Sequence, residues 1–280
     1  MKRIFQLIAE ISFLMIRLSY AQTIPDKNTL SFFIGASFPV GNFSSTDPSN
    51  NLSGYAVPGV SANFSYNHKL NKQLGLTAML YGQRNGINTS TLSDQMDKSY
   101  FFPQFINAED PNFQPGGKEV YYNWNIEKKY WYLESAMLGA TEELSLNNNK
   151  LSFVVKALIG AAYAQSPTLN GKSITDTSYS VFYQSGASAF GFSYLLCTGM
   201  NYKLSDKLYL KLDAFYFGTS RLNFKKITQN IASTYDGLVL PGVFTLSNSY
   251  MPPIWESSTT EPNKQPFGTL NISAGIGLIL

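Results

Sequence analysis

The chain has one cysteine and one histidine in 280 residues. Cys197 therefore has no internal disulfide partner, and metal centres built from several His and Cys ligands cannot be assembled. Any Ser-His-Asp arrangement would have to use His68, which falls at the end of an alternating segment beside a polar turn, away from a plausible nucleophile. No catalytic, cofactor or metal site is expected. Charge is scarce as well. Asp, Glu, Lys and Arg make up 14% of the chain, where soluble domains average roughly 25%. With a formal net charge of only +3, the chain lacks the concentrated basic face that nucleic acid requires. Past the N-terminus no stretch offers the 18 or so consecutive apolar residues of a membrane-crossing helix.

What the chain does have is apolar and aromatic surface. Hydrophobic residues reach 44%, and 18 Tyr and 20 Phe dominate the aromatics, which excludes a disordered polymer. Lys2 and Arg3 precede a mostly apolar run from Ile4 to Leu18, and Ser19-Tyr20-Ala21 offers a small-residue cleavage site before Gln22. Residues 1–21 read as a secretory signal peptide and 22–280 as the exported domain. Glu10 and Arg17 interrupt the run, so an amphipathic N-terminal helix is the other reading.

The rest alternates with a period of two, the signature of strands with unlike faces. Phe32, Ile34, Ala36 and Phe38 share one face of the first segment, and Val60, Ala62, Phe64 and Tyr66 one face of the second. Similar segments run over 74–81, 130–146, 151–164, 190–204, 208–218 and 267–280. Three links, near 69–72, 147–150 and 205–207, are short and polar. Four others, 41–56, 85–127, 165–187 and 219–266, are long. Short and long links that alternate describe an all-β, closed antiparallel transmembrane barrel of about eight strands, with tight periplasmic turns and long extracellular loops. Only a closed barrel satisfies every strand hydrogen bond in lipid. A lipocalin-like soluble carrier would turn the same alternation inside out. Tyr and Trp near the strand ends suit the headgroup level.

On the polar face, Glu134, Glu142, Lys156, Lys211 and Asp213 fall in the inward register. Reflection about Asn149 sets Glu142 opposite Lys156, which predicts a structural ion-pair network plugging the periplasmic half of the lumen. An ion path is the other reading. Glu143 disturbs this register: it requires either a rim position or a bulge. The long loops carry Phe101, Phe102, Tyr121, Tyr122, Trp124 and Trp255 among Pro and Gly residues. Such rings could bind a protein or a glycan. The plainer expectation is that the loops pack on each other over the barrel mouth. Further strands hidden in 85–127 or 219–266 would widen the barrel and favour a channel.

Several segments resemble the outer-membrane β-barrel proteins of Bacteroidota known as PorT-like. They are Ala21-Gln22 after the signal, Trp131–Leu138, Gly199–Leu210 and the Gly-rich closing strand Ala274–Leu278. In the second, Ser135 and Ala136 stand where the family has Ile and Pro. The resemblance implies a Gram-negative outer-membrane location, in contact with outer-membrane lipid and lipopolysaccharide, more than it implies a role. The expected role is non-enzymatic: a structural or interaction barrel with partner- or ligand-facing loops. A small-solute or ion channel is the alternative, and a soluble carrier comes third.

Overall fold

The structure is a computed structural model that describes residues 28–50, 52–99, 124–146, 150–174, 178–225, 228–235, 254–259 and 264–280. The signal segment 1–21 and the loop aromatics Phe101, Phe102, Tyr121 and Tyr122 lie outside the described residues.

The strands, in chain order, are β1 (Thr29–Pro39), β2 (Ala56–Lys69), β3 (Leu74–Ile87), β4 (Trp124–Ile126) and β5 (Tyr130–Leu146). They continue with β6 (Leu151–Gln165), β7 (Leu169–Ile174), β8 (Ser178–Gln184), β9 (Ser188–Lys203) and β10 (Leu208–Thr219). The last are β11 (Leu222–Asn223), β12 (Thr228–Tyr235), β13 (Ile254–Thr259), β14 (Lys264–Gln265) and β15 (Gly268–Ile279). One helix, α1 (Thr89–Ser99), follows β3.

Among the described residues, eight strands close an antiparallel barrel in the order β1-β15-β10-β9-β6-β5-β3-β2. The first strand pairs with the last along its length, from Thr29 opposite Ile279 to Pro39 opposite Thr269. The sheet therefore has no free edge. Short turns join β2 to β3, β5 to β6 and β9 to β10 at one end, while the long connections leave from the other. Side chains alternate as the sequence implies for β1, β2, β6, β9, β10 and β15. Phe32, Ile34, Val60, Leu196 and Ile272 point outward and are exposed, whereas Ser31, Ser61, Ser65, Thr269, Asn271 and Ser273 point inward and are buried. An apolar exterior around a polar interior inverts the soluble arrangement and matches hydrocarbon as the surrounding solvent. Outward Tyr130, Tyr132, Tyr163, Phe190 and Phe192 ring the long-loop end, and Phe153 and Tyr202 stand near the short-turn end.

The long connections hold strands of their own, but these do not widen the barrel. A separate five-stranded sheet, β13-β12-β8-β7-β4, forms from three of them, and β11 pairs with β14. This cap has a core of Met96, Trp124, Ile126, Leu169 and Phe182, with Ile87 and Leu92 packed on it. Asn88 starts α1: its Oδ1 accepts the Thr91 backbone N–H at 3.1 Å, satisfying a donor that the first turn leaves unpaired. Helix α1 then lays Met96 against the cap core.

One strand departs from the sequence reading. Leu133, Ser135, Met137 and Thr141 of β5 point into the lumen and are buried. Glu134 and Glu142 are on the outer face, which corrects their assignment to the lumen. The cause is the turn. Leu146 pairs with Leu151, so Glu142 lies opposite Val155 and Thr141 opposite Lys156. Reflection about Asn149 is off by one residue, and a one-residue slip exchanges the faces of the whole strand. Glu143 thereby faces inward without a bulge.

Candidate functional site: a packed lumen beneath a folded cap

Near the short turns the lumen is filled by charge. Lys156 Nζ lies 2.5 Å from Asp213 Oδ2, and both side chains are buried. Glu143 accepts from Lys69 Nζ at 2.8 Å, from Ser152 Oγ at 2.6 Å and from Asn201 Nδ2 at 3.2 Å. Glu143 thus takes the place expected for Glu142. Lys211 is buried and makes no ion pair within 4.0 Å among the described residues. It lines two small cavities of about 20 and 30 Å³. Each is room for about one water molecule, enough to hydrate an ammonium group locally.

Two glycines named in the sequence only as part of the family resemblance, Gly199 and Gly277, make this packing possible. A Cβ at Gly199 would collide with the Asp213 carboxylate and with the Leu212 carbonyl oxygen, and one at Gly277 with the Lys211 side chain. Gly199 pairs with Asp213 and Gly277 with Lys211's neighbour Tyr209 on the adjoining strands. Their signal in the sequence is glycine on the inward face of a strand, where a side chain is otherwise expected to fill space.

Above the charges sits a fully buried Phe33, whose ring centroid is 5.1 Å from Lys156 Nζ. The middle of the lumen mixes apolar and amide groups. Tyr81 meets Phe217 at 4.8 Å with the rings tilted by 32°, and Phe215 edge-on at 5.7 Å. The Tyr81 hydroxyl lies 2.5 Å from Gln83 Oε1 and 3.0 Å from Asn271 Oδ1. Leu133, Leu158, Leu195 and Phe217 are each at most 1% exposed.

The long-loop mouth is closed by rings. Phe43 meets Phe267 at 4.6 Å and Trp131 at 5.7 Å, and Trp131 meets Phe267 at 5.4 Å and Phe224 at 6.0 Å. Trp131 Nε1 donates to Gly54 O at 2.9 Å, and Gln265 Nε2 to Leu52 O at 2.7 Å, so the β1–β2 connection is fastened over the plug. From end to end the described lumen is therefore packed side chain.

Of the residues singled out in the sequence, Lys156 and Asp213 meet directly, Lys211 lies in the same charged layer, and Glu134 and Glu142 do not join it. Trp124 is 4% exposed inside the cap core, where it packs on Phe182 at 6.4 Å; it is a core residue and not a contact surface, which corrects its reading as a binding aromatic. Trp255 stands on β13, one of the two edge strands of the cap sheet. His68 is exposed near the short turns, with Nδ1 2.8 Å from Asn28 Oδ1.

No family model and no curated protein matches the chain. Solved structures do. Neisserial surface protein A is 9% identical over 92% of this chain and 99% of its own, with a TM-score of 0.43. Ail, the attachment invasion locus protein of Yersinia pestis, is 11% identical over 91% of this chain and all (100%) of its own, at 0.40. A major outer membrane protein from Thermus thermophilus is 11% identical over 90% and 99%, at 0.41. At these values the fold assignment rests on the strand pairing described above.

Proposed function

We propose that the protein is a non-enzymatic barrel of a Gram-negative outer membrane, exported by residues 1–21, whose work is done by the cap and not by conduction. The observation that carries this is the contrast between a lumen packed from turn end to mouth and long connections that fold into a sheet with its own core. Eight-stranded barrels have interiors just wide enough for side chains to fill. A channel needs continuous water, and the cavities beside Lys211 among the described residues hold about one molecule each. The apolar exterior with aromatic rims favours a bilayer over the soluble-carrier reading. The PorT-like resemblance of Trp131–Leu138 and Gly199–Leu210 favours the outer membrane as that bilayer. A folded cap above the rim presents surface to the outside, where a protein or glycan would be met, and lipopolysaccharide would surround the barrel below it.

Planar-bilayer recording of detergent-purified protein, shown folded by a heat-dependent gel shift, tests the reading. A silent bilayer is expected. Reproducible conductance steps from the folded form would overturn it in favour of a channel.

A further inference from the structure

Among the described barrel strands, the outward-facing charged side chains are Arg84, Glu134 and Glu142, and all three lie on the adjacent strands β3 and β5. The remaining circumference is free of outward charge. The same face carries a depression of about 660 Å³. Its floor is made of small residues: Ala62, Gly82, Ala136 and Ala161. A Cβ placed on Gly82 would meet no atom within 4 Å, so the space in front of it is open. Phe64, Leu80, Tyr163 and Phe190 form the walls, and Glu134 opens into the same space. Glu134 has no hydrogen-bond or ion-pair partner among the described residues. Arg84 stands two positions nearer the long-loop end than Gly82, the residue that pairs with Glu134. Two positions along a strand is about 7 Å. The Arg84 guanidinium lies 3.5 Å from the centroid of the Tyr130 ring and 5.7 Å from that of Tyr132, at the level of the aromatic rim.

From the rim inward the face thus presents a fixed cation, then a bare hydrogen-bond acceptor, then an apolar hollow. A membrane lipid presents headgroup, linkage and hydrocarbon in the same order. An anionic headgroup complements Arg84. Glu134 discriminates at the linkage. An ester-linked glycerophospholipid has acceptors there and would leave the carboxylate unpaired in a low-dielectric setting. An amide-linked, hydroxylated acyl chain brings N–H and O–H donors to that depth. Resting on the outer-membrane reading above, we propose that this face seats one phosphorylated, amide-linked acyl glycolipid of the lipid A type. Arg84 holds the phosphate, Glu134 accepts from the linkage donors, and an acyl chain fills the hollow over Gly82.

The test uses the full exported chain, recovered folded from outer membranes, and native mass spectrometry in detergent with lipid A and dioleoyl phosphatidylglycerol as paired probes. Wild type is expected to retain lipid A over phosphatidylglycerol by about tenfold, the factor supplied by one charge-assisted hydrogen bond. Glu134→Ala should bring the two lipids to parity. Arg84→Ala should weaken both. Gly82→Leu, which grows a side chain into open space, should exclude both while leaving the heat-dependent gel shift intact. Equal retention by wild type, or an unchanged preference in Glu134→Ala, would overturn the lipid seat and leave the barrel reading standing. Disulfide-linked dimers from Ala136→Cys without lipid preference would make the face an interface between copies and also overturn it. A chain absent from the outer membrane would overturn both readings.

Discussion

Toward the short turns the lumen is closed by Lys69, Glu143, Lys156, Lys211 and Asp213; toward the long loops it is closed by Phe43, Trp131, Phe217, Phe224 and Phe267. Both fillings leave no continuous water path among the described residues, but by different physics. Rings contribute in proportion to the area they bury and to their edge contacts, and each acts almost independently of the next. Buried charges contribute only as a set, because an ammonium or carboxylate without its partner is far worse than an apolar side chain in its place. The charged half is conditional, and the aromatic half is cumulative.

The widest separation between these halves lies in rescue. Asp213→Leu leaves Lys156 buried without its counter-charge and is expected to cost about 3–5 kcal/mol. Phe217→Ala is expected to cost about 3–5 kcal/mol as well, through lost transfer energy and the cavity left behind. A second substitution, Lys156→Met on Asp213→Leu, should restore most of the first loss. No single charge change should restore the second. Urea unfolding midpoints of the folded barrel in detergent read both, and a double variant as unstable as Asp213→Leu would break the comparison. A smaller effect tests how the conditional half is packed. Gly199→Ala should push the Asp213 carboxylate off Lys156 at a cost of about 1–3 kcal/mol. The penalty should shrink in the Asp213→Ser background, since neighbouring sites that share a clash are not additive. Additive losses would show that Gly199 serves the backbone and not the carboxylate.

How these halves could be read from the sequence differed as well. The exterior was legible because lipid demands an apolar residue at every second position, and β1, β2, β6, β9, β10 and β15 comply. Strand β5 was misread because it is apolar on both faces: Leu133 and Met137 fill the lumen while Leu138 and Leu144 face out. With no contrast between faces, its register hung on the turn. The β2–β3 and β9–β10 pairings are symmetric about a residue, with Lys69 opposite Gly75 and Lys203 opposite Tyr209. The β5–β6 pairing is symmetric about a bond, with Leu146 opposite Leu151. That difference in the centre of the turn decided whether Glu142 or Glu143 entered the lumen. The cap was legible only as packing aromatics. Its strands are short, and Trp124, Ile126, Leu169 and Phe182 share one core with Met96 of α1, so alternation over three to eight residues did not rise above the loop composition around it. Trp124 and Ile126 were its best signal, two apolar residues spaced by Asn125.

The aromatic half has one acidic tie, and it lies outside the barrel. Asp47, in the β1–β2 connection, accepts from the Ser49 backbone N–H at 2.9 Å and from Ser49 Oγ at 2.7 Å. These hydrogen bonds favour its ionised form and hold its pKa below the ordinary 3.8. The same connection carries Gly54, whose carbonyl accepts Trp131 Nε1 over the ring plug. A carboxyl with a lowered folded pKa lends its support above the unfolded value and loses it as pH falls through the folded one. The fastening over the rings should therefore hold through neutral and mildly acid conditions and loosen only below pH 3.8. The effect is small, because the group is fully exposed and screened by solvent. The Trp131 indole N–H resonance of protein in detergent micelles reports it directly. Its chemical shift should titrate with an inflection below the ordinary aspartate value and lose that inflection in Asp47→Asn. An inflection that survives Asp47→Asn would show that the acid response of the ring plug does not arise from this connection, and the fastening would then be independent of the Asp47 carboxylate.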